Sequence, residues 1–189
     1  MFYHEPKESY ANVYESRCMN QLLSNADIPR GSSGSSPVAS YMTDVKLGAR
    51  IKEWQSGSNY TCCYGTGVET HLRYKDGIYA YSGDTLYINQ FIPSELTWPE
   101  KNVTVTMEGS YPESDTLRIS ITPTEEIRMY IKIRSPKWIR RPIGIAINDT
   151  IRHQGPINGG TYFVLRRQIW TPNTPEVVRL IMPQTLWFR

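Results

Sequence analysis

From Asp84 onward the chain is made of short runs in which apolar and polar residues alternate: "DTLYINQFIP", "NVTVTMEGSYP", "DTLRISITP", "EIRMYIKIRSP", "GIAIND", "GTYFVLRRQIW" and "EVVRLIMP". Such alternation puts successive side chains on opposite faces of an extended backbone, and the runs are rich in the β-branched and aromatic residues that suit a pleated surface. Proline, glycine or Asn-Asp closes most of them, so each run predicts a strand and each break a turn. In "RMYIKIRS" the pattern separates Met129, Ile131 and Ile133 from Arg128, Tyr130, Lys132 and Arg134, as a sheet with one face on the core and one in water requires. Seven runs of this kind predict an antiparallel β-sandwich over residues 84–189.

The N-terminal part reads differently. "YANVYESRCMNQLLS" (10–24) spaces Val13, Arg17, Asn20 and Leu23 at helical intervals, with Tyr10 and Tyr14 one turn apart, and predicts an amphipathic helix. "NADIPRGSSGSSP" (25–37) is loop, because proline, glycine and serine remove the incentive to order. "VASYMTDVKLGARIKEW" (38–54) predicts short strands or extended chain. "GVETHLRYKDGIYAY" (67–81) spaces Val68, Leu72 and Ile78 for a second helix, with Thr66 as its cap and "KDG" as its end. Two helices are too few to close a helical core, so they either rest on the sandwich or belong to a larger helical domain. The expected organisation is therefore α+β, with residues 1–83 helical and residues 84–189 a sandwich.

Composition adds limits. A chain of 189 residues with 39% hydrophobic, 21% charged and 12% aromatic residues is globular. Net charge is +3, and the basic residues concentrate only in "IRSPKWIRRP" (133–142), which reads as a solvated strand end, so nucleic acid is not an expected partner. No apolar stretch approaches the roughly 20 residues of a membrane span, and "MFYHEPKESY" is too polar for a signal-peptide core. N-x-[ST] sequons stand at Asn59, Asn102 and Asn148; a glycan at Asn59 would obstruct the neighbouring cysteines, which weighs toward a bacterial or cytosolic setting. Trp54, Trp98, Trp138, Trp170 and Trp187 are either core residues or platforms for a sugar face.

The chemistry concentrates in "SNYTCCYGTGVETH" (58–71). Cys62 and Cys63 are adjacent and would pair only through a strained ring, so they are thiols or metal ligands rather than a disulfide. A thiol acts as nucleophile or ligand only as thiolate, which needs a cation, a metal or a helix N-terminus to lower its pKa. The helix predicted from Gly67 starts just beyond the pair, and Gly65 and Gly67 permit close approach of backbone to a ligand. Two readings stay open from the residues alone: buried cysteines acting as small apolar residues, or a reactive pair. Glu69 and His71 do not complete a familiar zinc spacing, and Cys18 is expected to pack inside its helix.

"TCCYGTGVETHLRYKDGIYAYSGDTLYINQFIPSELTW" resembles the Cys-Cys-x-Gly-Thr-Gly-x-Glu turn, helix and Ile-Pro-Ser strand ending of glycoside hydrolase family 127, the β-L-arabinofuranosidases. "YANVYESRCMNQLLS" and "SYMTDVKLGARIKEWQS" look like the helix and the stretch that precede it there. The resemblance implies a retaining glycosidase in which Cys62 attacks the anomeric carbon, Cys62 and Cys63 both bind zinc, and a separate glutamate serves as acid and then base. It further implies that Glu15 and Tyr41 contact the sugar, and that the substrate is an L-arabinofuranoside of plant glycans. The family's catalytic domain is an (α/α)6 barrel, of which this chain would keep the last portion. The family's other zinc ligands form a Glu-x-Cys pair upstream of that portion, and no Glu-x-Cys occurs in this sequence. Both ends of the chain are accordingly expected to be cut. The competing reading is a non-catalytic sandwich that binds sugar or packs against a partner; a thiol redox role lacks its C-x-x-C.

Overall fold

The computed structural model describes residues 5–22, 26–27, 38–42, 52–53, 69–70, 72–111, 113–154, 159–165, 169–172 and 176–183. The chain divides into two compact units, one formed by Met1–Asn12 with Gly77–Arg189 and the other by Val13–Asp76.

In the first unit a six-stranded sheet and a four-stranded sheet share one core. β4 (Tyr79–Ser82), β5 (Thr85–Ile88), β10 (Tyr130–Ser135) and β13 (Thr161–Val164) form the smaller sheet in the order β13-β10-β5-β4. The larger holds β6 (Ser94–Trp98), β7 (Val103–Gly109), β8 (Thr116–Pro123), β11 (Gly144–Ile147), β12 (Thr150–Gln154) and β15 (Glu176–Ile181), in the order β12-β11-β15-β8-β7-β6. A two-stranded ribbon pairs β9 (Ile127–Arg128) with β14 (Ile169–Trp170).

The period-two pattern explains the core. Leu117, Ile119 and Ile121 of β8 are fully buried while Arg118 and Thr122, on the opposite face, are exposed. Val105 and Met107 of β7, Val178 and Leu180 of β15 and Ile145 of β11 face the same interior as Leu86, Ile88, Ile131 and Ile133 from the other sheet. Burying a side chain of this size contributes about 1.5–3 kcal/mol. Trp98 and Trp170 belong to this core, and the Trp170 indole donates to the Met129 carbonyl at 2.9 Å.

The sandwich is antiparallel as the pattern predicts, with one exception. β5 and β10 run parallel, Thr85 opposite Tyr130 and Ile88 opposite Ile133. Alternation reports which face a residue takes and says nothing of strand direction; β6 to β9 intervene between the two strands and supply the crossover that a parallel pair needs. β4 lies before the expected boundary near residue 83 and pairs with β5 just beyond it. Ile78, expected as a helical position, instead follows the turn Tyr74–Gly77 and is buried in the sandwich core. "KDG" does end the helical stretch. At the other hairpin, Asn148 and Asp149 take φ of 48° and 62°, the paired positive values of a type I′ turn between β11 and β12.

The first helix, α1 (Glu8–Arg17), starts in the first unit, and its residues from Val13 on belong to the second, where it passes into a π-helical turn at Cys18–Leu22. Val13, expected on its apolar face, is 59% exposed, and the buried position of α1 is Ala11; Leu23 lies outside the described residues. β1 (Ala26–Asp27), β2 (Val38–Met42) and β3 (Lys52–Glu53) make a small antiparallel sheet; β2 and β3 fall where short strands were expected, whereas β1 falls in the stretch 25–37 read as loop and is held by pairing with β2. Glu69, Thr70 and Leu72 are helical and lead into the turn at Tyr74–Gly77.

Neighbouring positions on β8 test the two faces. Ile119→Ala should lower unfolding free energy by about 2–5 kcal/mol, and Arg118→Ala should change it by no more than about 0.5 kcal/mol, read from urea denaturation midpoints. A larger loss at Arg118 than at Ile119 would place β8 in another register.

Candidate functional site

Cys62 and Cys63 lie outside the described residues, as do Thr66, Val68, His71, Trp54 and Trp187. Tyr41 stands in β2, whose backbone alone is described. What the structure places is the chain on either side of the cysteine pair.

Glu15 stands on α1 and is half-buried. The residue before it, Tyr14, donates its hydroxyl to the carbonyls of Arg73 and Tyr74, at 3.1 and 3.2 Å. One proton shared between two acceptors is a three-centre bond, and it joins the helix that carries Glu15 to the segment shortly after the cysteine pair. Burial pushes the Tyr14 hydroxyl up to about 12, with Cys18 as the next cause. Tyr74 is raised in the same way, by burial and then by Cys18.

Cys18 begins the π-helical turn, and burial pushes its thiol up. A raised thiol pKa disfavours the reactive thiolate, so the expectation that Cys18 packs is met. Glu69 makes an i,i+4 pair with Arg73 at 2.6 Å, and both side chains are more than half exposed, which limits the pair to about 0.5 kcal/mol. Among the described residues no three His, Cys, Asp or Glu side chains gather as a metal site.

A second polar cluster lies in the sandwich unit and was not foreseen. Arg134, assigned by alternation to the wet face of β10, is fully buried. Its Nε donates to the Asn89 carbonyl at 2.5 Å and its Nη1 to Asn12 Oδ1 at 2.6 Å, and its guanidinium lies 5.8 Å from the centre of the Phe91 ring. Asn89 Oδ1 accepts from the Tyr162 hydroxyl at 2.5 Å, and burial raises the Tyr162 pKa. Gln90 Nε2 donates to the Ala11 carbonyl at 3.1 Å. The sequence carries no local signal for this cluster, because Asn12 and Arg134 meet across most of the chain.

Residues 85–183 match the profile of the family described as "Beta-L-arabinofuranosidase, GH127 middle domain". No curated protein matches the chain. Among solved structures, one described as a glycoside hydrolase is similar with a TM-score of 0.74 and 18% identity, over 97% of this chain and 30% of its own. Ara127N-Se, a GH127 beta-L-arabinofuranosidase from Geobacillus stearothermophilus T6, gives 0.65 and 20%, over 97% of this chain and 29% of its own. BT3674, a GH127 beta-arabinofuranosidase, gives 0.66 and 20%, over 96% and 30%. At these identities the likeness is one of fold, and the chain spans less than a third of each of these proteins.

Tyr14 yields a pH prediction. Its folded value of about 12 exceeds the ordinary 10.0, so the neutral phenol contributes stability that is fully present below pH 10 and is lost as pH rises through about 12. Ultraviolet titration should show a tyrosine ionising near pH 12 that is missing in Tyr14→Phe. That variant should also lose about 1 kcal/mol at neutral pH, measured by chemical denaturation.

Proposed function

The chain belongs to the family of the GH127 middle domain of beta-L-arabinofuranosidases, and on that premise we propose that it is part of a retaining glycosidase acting on β-L-arabinofuranosides, with Cys62 as nucleophile. The observation that carries the reading is the coincidence of two features. The family match covers residues 85–183, and the sequence Cys-Cys-Tyr-Gly-Thr-Gly-Val-Glu stands just upstream, at residues 62–69.

In this reading the Cys62 sulfur bonds to the anomeric carbon as the glycosidic bond breaks, the leaving oxygen takes a proton from a glutamic acid, and water later releases the sugar from the thioether. Retention follows from two displacements at one carbon. That glutamate and the family's Glu-x-Cys are not among these residues, so the chain supplies the nucleophile and two of four zinc ligands, Cys62 and Cys63. When bound, zinc keeps both sulfurs ionised at neutral pH. The two thiols suit zinc by chemistry, and two donors alone bind it weakly. Glu15 and Tyr41 take the role of sugar contacts, and the Tyr14 bridge supports this for Glu15, since it fixes the helix beside the segment that follows the pair.

The test is nitrophenol release from an aryl β-L-arabinofuranoside by the 189-residue chain and by the same chain carried on its genomic upstream sequence. The extended protein should turn over, Cys62→Ser should lower its kcat/KM by at least about 1,000-fold, and Cys18→Ser should leave it unchanged. Metal analysis should find stoichiometric zinc in the extended protein and substoichiometric zinc in the shorter chain. Turnover that survives Cys62→Ser would remove the nucleophile assignment.

A further inference from the structure

The loop after β10 carries chemistry that the cysteine site does not use. From residue 127 to residue 147 the sequence holds six lysines and arginines and no aspartate or glutamate. Within it Lys137, Trp138, Arg140 and Arg141 are exposed, while Ile139 is buried and anchors the loop in the core. The backbone is held on several sides. Ile139 N donates to the Pro136 carbonyl at 3.1 Å, Lys137 N to Asn12 Oδ1 at 3.2 Å, and Arg140 Nη1 to the Lys137 carbonyl at 3.0 Å. Gly159 N donates to the Ile139 carbonyl at 3.3 Å, and a side chain at Gly159 would overlap the Pro136 carbonyl.

Trp138 is 42% exposed, yet its ring is fixed. The indole lies parallel to Tyr111, 6.2 Å between centroids and 9° between planes, and Phe91 supports Tyr111 edge-on at 6.4 Å. Among the described residues no carboxylate pairs with Lys137, Arg140 or Arg141. A braced, part-exposed indole beside three cations that have no carboxylate partner among the described residues is complementary to a ring that has an apolar face and carries carboxylates.

We propose that Trp138, Lys137, Arg140 and Arg141 form a binding subsite for an anionic glycan, a segment containing uronate sugars. The indole stacks on the C–H face of one sugar ring, and the guanidinium groups take the carboxylates. The choice of glycan over nucleic acid rests on the glycosidase reading above and on a net charge of only +3; the subsite itself does not involve Cys62.

Affinity electrophoresis of the 189-residue chain through native gels containing polygalacturonate tests this, with gels of neutral arabinan and of single-stranded DNA alongside. Polygalacturonate should retard the wild-type chain, the more so at low salt. Trp138→Ala and Arg141→Glu should each weaken the interaction about ten-fold. Cys62→Ser should be retarded like wild type, so a failure of the glycosidase reading and a failure of the subsite are told apart. No retardation by polygalacturonate, equal retardation of wild type and both loop variants, or stronger retardation by arabinan or DNA would overturn the proposal. Arg141 is exposed, so its substitution tests the subsite even if Trp138→Ala unfolds the loop.

Discussion

A guanidinium with no solvent exposure must bring its acceptors with it, and Arg134 at the end of β10 organises the sandwich unit around that requirement. Burying an ion without partners costs several kcal/mol, so the segments that supply its acceptors are held to it. Asn89 on the chain leaving β5 and Asn12 on the helix both answer to it. Asn12 and Asn89 then serve as acceptors a second time, for Lys137 and Tyr162. This explains why residues 1–12 are part of the same compact unit as the sandwich, although Val13–Asp76, which belong to the other unit, separate them from it in the chain.

Cys18 and the Cys62–Cys63 pair are told apart by the burial of the one and by the residue types around the other in the sequence. Cys18 is buried, with its pKa raised, and suits packing. Cys62 and Cys63 stand beside glycines in a stretch whose residue types fit metal binding and nucleophilic attack, as the family resemblance implies. The sandwich contributes no acid, base or nucleophile to this reading.

Much of the fold was readable in the chain. Met129, Ile131 and Ile133 are buried as their alternation requires, and Asn148-Asp149 makes the turn that its residue types favour. Ile78 misled because one apolar residue fits a helical spacing and a strand edge equally well. β6 (Ser94–Trp98) escaped notice because serine, glutamate and threonine dilute its pattern, although Trp98 is core. Of the candidate site, the cysteine pair was legible as chemistry but acquired a role only through resemblance, and Glu15 had no signal of its own; the Tyr14 bridge that supports it joins residues about 60 positions apart.

By itself the sequence determined which residues face inward, where the turns fall and which side chains can ionise or bind metal, because these follow from local periodicity and residue chemistry. Tertiary structure alone decided that β5 and β10 run parallel, that Arg134 leaves water, and that Trp138 is braced by Tyr111. Each of these depends on contacts between distant segments, whose free energy comes from desolvation shared among partners, and no single stretch of chain contains all the partners.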